Sequence, residues 1–152
     1  MEQLVRDAVG RLRAGGVAPE VLGERRIPRR VLGVGRGARI EAVGEAWRLG
    51  GLLLLANGTL AVPGESVRTE AESTRGYTAE SARRRAGLRE EARRGGIPPG
   101  VVVHLGWRVV VVGEEPLTML DGEVGLVWTA GAPAVPLGRY LTERVTLVLE
   151  RP

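Results

Sequence analysis

Between Glu2 and Ala14, the apolar residues Leu4, Val5, Ala8, Val9 and Leu12 recur at i, i+1, i+4, i+5 and i+8, one stripe of a 3.6-residue helix. Glu2–Arg6 and Asp7–Arg11 add oppositely charged i,i+4 pairs, and Gly15-Gly16 predicts the stop. Val17 to Gly23 reads as a short connection. From Val31 to Val62 the period shortens to that of antiparallel strands. Arg39 to Val43 alternates in part, Gly44-Glu45 predicts a turn into Ala46–Leu49, and Leu52–Leu55 is a fully apolar strand. Asn57-Gly58 predicts a type I′ hairpin turn, because both central positions of that turn need positive φ. Thr59–Val62 then returns, Pro63-Gly64 breaks the pattern, and Val67–Glu72 reads as an edge strand.

The helical period resumes once more. Thr78 is a predicted N-cap, Glu80 falls in the first turn, Arg93 and Arg94 fall in the last, and Gly95-Gly96-Ile97-Pro98 predicts the end. Val101 to Val112 reads as a twelve-residue central strand whose core face carries Val101, Val103, Leu105, Trp107, Val109 and Val111. Pro116 opens another strand, Asp121-Gly122 predicts a hairpin turn, and Val124–Trp128 returns. A loop over Gly131–Pro136, one helical turn over Pro136–Leu141 and a last strand over Val145–Leu149 complete the pattern. These elements predict one α+β domain over residues 1–152. It is an antiparallel twisted sheet of about six to eight strands with an N-terminal helix and one long central helix.

Composition narrows the setting. The chain has 152 residues, 43% hydrophobic and 26% charged, the balance of a globular domain large enough for its own core. Its 23 glycines are scattered without period and indicate many turns. No apolar run approaches the ~18 residues of a membrane span, and the first residues are amphipathic rather than a signal peptide. There is no Cys, hence no disulfide framework, and the expected location is cytoplasmic, away from membranes. A net charge of +4 invites a nucleic-acid reading, yet all 22 basic residues are Arg, and Lys and Phe are absent. A high-GC genome produces that skew without selection on function.

Chemistry-bearing residues are few. One His, no Cys and two Asp give no basis for a transition-metal site, and no cofactor is expected. Gly33-x-Gly35-x-Gly37 departs from the dinucleotide spacing and precedes a strand, so it reads as a bend or bulge. A nucleophile relay would have to use His104 with Ser66, Ser73 or Ser81 and Asp7 or Asp121, and no G-x-S-x-G elbow is present. Arg25, Arg26, Arg29 and Arg30 crowd four charges around Pro28, either a phosphate-touching loop or a solvated turn. On the central helix Arg85, Arg89 and Arg93 recur at i, i+4 and i+8 without an interleaved acid. Such a stripe costs helix stability, so an acid such as Glu70 or Glu72, or an external anion, is expected to offset it. Glu80–Arg84 and Glu90–Arg94 are conventional pairs, and Ala79, Ala82 and Ala86 form a small-residue strip suited to close packing on the sheet. Leu88 and Ala92 fall on roughly the other side, which suggests burial on two sides or a partner chain. Arg75, Tyr77 and Thr78 bring a guanidinium and free N–H groups to the helix N-terminus, the recurring geometry of an anion site.

Arg75-Gly76-Tyr77-Thr78-x-Glu80-Ser81, Gly95-Gly96 and Tyr140-Leu141-x-x-Arg144 resemble a small protein family of high-GC bacteria whose members are sometimes labelled glutaminase. The likeness spans most of the chain and implies a shared fold. It does not carry a mechanism over. Serine glutaminases pair Ser-x-x-Lys, whereas Ser81 here is followed by Arg84, and a guanidinium does not deprotonate to act as a base.

The leading expectation is therefore a non-enzymatic binding domain, as a monomer or homodimer. It would take a small anion or acidic protein through Arg75, Tyr77, Thr78, Arg85, Arg89 and Arg93. The alternative is nucleic-acid binding through Arg25, Arg26, Arg29 and Arg30, against which stands an aromatic content of 3%, poor for base stacking. The third is a small hydrolase built on His104.

Overall fold

The computed structural model describes residues 1–28, 37–70, 79–129 and 131–150. In chain order the elements are α1 (Glu2–Ala14), β1 (Glu20–Arg26), β2 (Arg39–Leu49), β3 (Leu52–Leu55), β4 (Leu60–Val62), β5 (Glu65–Arg68) and α2 (Ala79–Arg94). They continue with β6 (Val102–Leu105), β7 (Arg108–Val109), β8 (Leu117–Leu120), β9 (Glu123–Leu126), β10 (Val135–Pro136) and α3 (Leu137–Leu149). The architecture is α+β, with a seven-stranded sheet in the order β5-β6-β1-β2-β3-β4-β7 and a three-stranded sheet β10-β9-β8. The chain divides into two compact units. One comprises Met1–Pro19, Ala46–Pro63 and Arg108–Pro152, the other Glu20–Glu45 and Gly64–Trp107.

In the first unit, the apolar stripe of α1 (Val5, Ala8, Val9, Leu12) packs with Trp47, Leu49, Leu52, Leu54 and Leu60 of the strands and with Leu137, Tyr140, Leu141 and Val145 of α3. Each such fully buried aliphatic side chain stabilises by about 1.5–3 kcal/mol. α1 has the predicted bounds, and its end is a Schellman motif. Val17 N–H donates to Leu12 C=O at 3.1 Å, and Gly16 N–H donates to Arg13 C=O at 3.0 Å. The Trp47 indole donates to the Val17 carbonyl at 2.8 Å, so the chain leaving α1 is held to the core.

Two turns in this unit refine the sequence reading. Asp121 (φ 47°) and Gly122 (φ 86°) form the two-residue turn between β8 and β9, with Leu120 opposite Glu123. At Asn57-Gly58 only Gly58 has positive φ, at 86°. Gly58 N–H donates to Leu55 C=O, and Leu55 N–H donates to Thr59 C=O. The hairpin is thus a three-residue loop closed by a left-handed glycine, not a type I′ turn.

The predicted final strand is a helix. Leu137, Tyr140, Leu141 and Val145 are buried at helical spacing. The run Val145-Thr146-Leu147-Val148, three of its four residues β-branched, suggests strand only when its packing partners are unseen. The predicted turn at Gly44-Glu45 is likewise absent, since β2 runs unbroken through it and the chain reverses at Gly50-Gly51.

The second unit corrects the sheet. β1 pairs with β6 in parallel, Val21 opposite Val103 and Leu22 opposite His104, so the sheet is mixed rather than antiparallel. Residues expected to be a connection (Val17–Gly23) therefore enter an interior strand. The expected strand Val101–Val112 is also interrupted. β6 ends at Leu105, Gly106 takes φ +62°, and the chain resumes as the edge strand β7. Past Gly106 the facing is reversed: Val110 is buried while Val109 and Val111 are exposed. α2 has the predicted bounds and ends in a second Schellman motif, Ile97 N–H to Ala92 C=O and Gly96 N–H to Arg93 C=O. Leu88, Ala92 and Ile97 pack on Ile40, Val67, Val103 and Leu105. A Cβ at Gly95 would collide with the Ile40 carbonyl, so only glycine permits this approach.

Candidate functional site: the arginine-lined cleft beside α2

α2 places its buried residues in its C-terminal half. Leu88, Glu91 and Ala92 are its buried residues, whereas Ala79, Ala82 and Ala86 are exposed. The small-residue strip therefore does not pack on the sheet, because the apolar contact comes from Leu88 and Ala92. Sixteen residues with six Arg and three Glu leave little apolar surface to bury along the first two turns. A cleft of about 790 Å³ opens beside this exposed half. Its lining comes from α2, from β1 (Gly23 to Arg25), from Glu65 and from the Leu105-Gly106-Trp107 exit of β6.

Two ion pairs organise the cleft. Arg25 meets Glu91 through two hydrogen bonds, Nε to Oε2 and Nη2 to Oε1, each 2.6 Å. Glu91 is only 8% exposed, and the hydrogen bond from Arg25 holds its carboxyl below the ordinary value against the opposing effect of desolvation. Arg84 grips Glu65 in the same way, Nη2 to Oε2 at 2.7 Å and Nε to Oε1 at 3.2 Å. Both guanidiniums are raised above their usual pKa, in each case first by the hydrogen bond to the carboxylate. The third carboxylate, Glu24, is engaged by Arg26 from outside the cleft. Arg83, also on the cleft wall, has no ion pair or hydrogen bond among the described residues. Among the described residues, one positive charge is left without a partner there.

The structure distributes the residues named from sequence differently. Arg25 and Arg26 lie at the end of β1 rather than in a loop, and both are ion-paired, Arg26 to Glu24 and Glu41. Arg29, Arg30, Arg75, Tyr77 and Thr78 lie outside the described residues, as do Gly33, Gly35 and Glu72. Arg89 and Arg93 line a second recess of about 350 Å³ on α2 with Thr69, Glu90 and Ile97. For Arg93 of this stripe the offset comes from the helix itself: Glu90 accepts from Arg93 at 2.8 and 2.9 Å, and it also approaches Arg94 at 3.5 Å. That contact lowers the pKa of Glu90, the hydrogen bond from Arg93 being the first cause. Arg89 donates to the Arg68 carbonyl at 3.3 Å, and Arg85 is half-buried. The expected Glu80–Arg84 pair gives way to Arg84–Glu65.

Sequence reasoning missed Arg83, Arg84, Glu65, Glu91 and Trp107 as neighbours. One signal was present. Glu91 stands three residues after Leu88 and one before Ala92, on the only apolar stripe of α2, and a carboxylate in such a stripe requires a cationic partner.

His104 lies elsewhere in this unit and is fully buried. Its Nε2 is 2.5 Å from Glu20 Oε2, Ser66 is its cross-strand partner, and its Nδ1 has no hydrogen-bond partner among the described residues. A His beside a carboxylate and a Ser has the residue types of a nucleophile relay, but a ring with no exposure offers a substrate no approach. Among the described residues no three His, Asp or Glu side chains gather to hold a metal ion. No helix there is long and apolar enough to cross a membrane. Comparison with known protein families, with curated proteins and with solved structures finds no match for this chain.

Proposed function

We propose that the chain is a non-enzymatic binding module that takes an anionic ligand, or an acidic group of a partner, at the arginines of α2. The observation that carries this reading is Arg83: among the described residues, a cleft whose other charges are matched in pairs keeps one guanidinium unmatched on its wall. Arg25 and Arg84 are held in place by Glu91 and Glu65, so their outward N–H groups are oriented before a ligand arrives. The site thereby moves from the Arg85–Arg89–Arg93 stripe to the neighbouring flank of the same helix.

Calorimetric titration with inorganic phosphate at low salt tests it. Binding is expected to weaken with added salt and to fall at least tenfold in an Arg83→Ala, Arg84→Ala double variant. A double variant that titrates like the parent refutes the reading. Nucleic-acid binding is separated in the same buffer with duplex DNA. Affinity that falls with a log–log salt slope of several phosphates, and survives loss of Arg83 and Arg84, would replace the present reading. The engagement of Arg26 by both Glu24 and Glu41 favours the small-anion reading over that one.

A further inference from the structure

We infer that the natural ligand of the cleft is an aromatic anion, a planar ring bearing a carboxylate or phosphate; this rests on the anion-binding reading above and specifies its ligand. The first argument is size. A volume of about 790 Å³ is roughly twenty-five times the ~30 Å³ share of one water, far more than a bare oxyanion fills. It lies within the range of about 300–1,000 Å³ occupied by small-molecule ligands. The second is the lining. Beside Arg25, Arg83 and Arg84 stand Leu88, Leu105 and Trp107, the one aromatic side chain of the cleft among the described residues. Trp107 follows Gly106, whose positive φ ends β6 there, and a Cβ at either Gly87 or Gly106 would meet nothing within 4 Å.

Charge and surface together limit the ligand. Glu24, Glu65 and Glu91 are each committed to an arginine, so among the described residues the unmatched charge is the cation Arg83 and the complementary group is an anion. Leu88 and Leu105 are already buried in the core, so the apolar surface left to the body of that anion is the half-buried Trp107, and a planar ring covers it by stacking. An aliphatic anion would leave the indole without its preferred partner. A neutral aromatic would leave Arg83 unpaired.

The test uses the full chain carrying Trp128→Phe, which removes an exposed indole and leaves Trp107 and the buried Trp47 as reporters. Phenyl phosphate, benzoate, inorganic phosphate, acetate and phenol are titrated at equal ionic strength, followed by tryptophan fluorescence and calorimetry. Phenyl phosphate or benzoate is expected to bind at least tenfold more tightly than its non-aromatic counterpart and to quench fluorescence. The tighter of the two identifies the anionic group. Trp107→Leu is expected to abolish the tenfold preference with phosphate or acetate affinity unchanged, whereas Trp107→Phe retains it. Arg83→Ala is expected to weaken every anion and leave phenol unaffected. Equal affinity for aromatic and non-aromatic anions overturns this inference while the anion-binding reading stands. Absence of binding by all anions overturns both. Phenol binding as tightly as phenyl phosphate overturns the charge argument.

Discussion

Replacing Arg25 with Ala exposes how the cleft is built, because it strands a carboxylate that α2 keeps buried. The Glu91 side chain retains 10% of its exposure and that of Arg25 51%, so the pair is buried on one side only. Hydrogen bonds to charged groups contribute about 1.5–3 kcal/mol each in favourable settings. Breaking a fully buried pair costs about 3–5 kcal/mol. With half of Arg25 screened by solvent, Arg25→Ala is expected to destabilise by about 1.5–3 kcal/mol near neutral pH. The pH dependence carries the sharper test. In the parent, Glu91 has a lowered pKa, so its contribution is present above the unfolded value of about 4.3 and is lost as pH falls through the lower folded value. Without Arg25, desolvation outweighs the remaining attraction of Arg94, and the folded pKa rises above the unfolded one. The buried carboxylate then penalises the fold at neutral pH, and acid relieves the penalty as it protonates. The stability gap between parent and variant should therefore narrow steadily between about pH 7 and about pH 4. Urea unfolding at several pH values measures it, and a Glu91→Gln background should remove most of the pH dependence of that gap. A gap below about 0.5 kcal/mol, or one independent of pH, would refute the argument that Arg25 holds Glu91 in its ionised form.

Other substitutions test the rest of the structure. Gly96→Ala places a Cβ at φ 82° in the Schellman end of α2 and should cost about 1–2 kcal/mol in urea unfolding, with little change in the helical circular dichroism of the folded state. Tyr140→Phe removes the hydroxyl that donates to Leu49 C=O at 2.8 Å and accepts from Gly51 N–H at 2.9 Å. The expected loss is about 1–3 kcal/mol in chemical denaturation, and a loss near zero would mean that the turn at Gly50-Gly51 does not depend on that clamp. Leu141→Ala, fully buried in the core of the first unit, should cost about 2–5 kcal/mol, while Leu147→Ala on the exposed side of α3 should fall within about 0.5 kcal/mol. Were Val145–Leu149 a strand, Val145 and Leu147 would share a face, whereas Val145 is fully buried and Leu147 is exposed.

Legibility followed the range of the interactions. The bounds of α1 and α2 were readable because the apolar stripe, the charged ends and the glycine stops all act within about five residues. Each Schellman bond joins groups one turn apart, Leu12 to Val17 and Ala92 to Ile97. The turn at Asp121-Gly122 was readable for the same reason. At Asn57-Gly58 the reversal was read correctly and its type was not, because the extra residue in the loop is decided by the register of β3 on β4. The candidate site was legible only as an excess of arginine on α2. Which arginines face the cleft depends on which side of the helix Leu88 and Ala92 bury, and that is a property of the sheet beneath them.

By itself, then, the amino-acid sequence determined the local elements with self-contained ends: two helices, the reversals at Asn57-Gly58 and Asp121-Gly122, and an α+β composition. Tertiary structure alone decided three things. It set β1 parallel to β6, a pairing between residues as distant as Val21 and Val103 that no period in the chain encodes. It made Val145–Leu149 a helix, since the burial of Leu137, Tyr140, Leu141 and Val145 on one face outweighs a weak β-propensity. It also sorted equivalent arginines into paired and unpaired. Arg25, Arg84 and Arg93 each find a carboxylate within hydrogen-bond reach and Arg83 finds none among the described residues, a difference set by three-dimensional proximity because Coulomb attraction and hydrogen bonding fall off within a few ångströms of the charge.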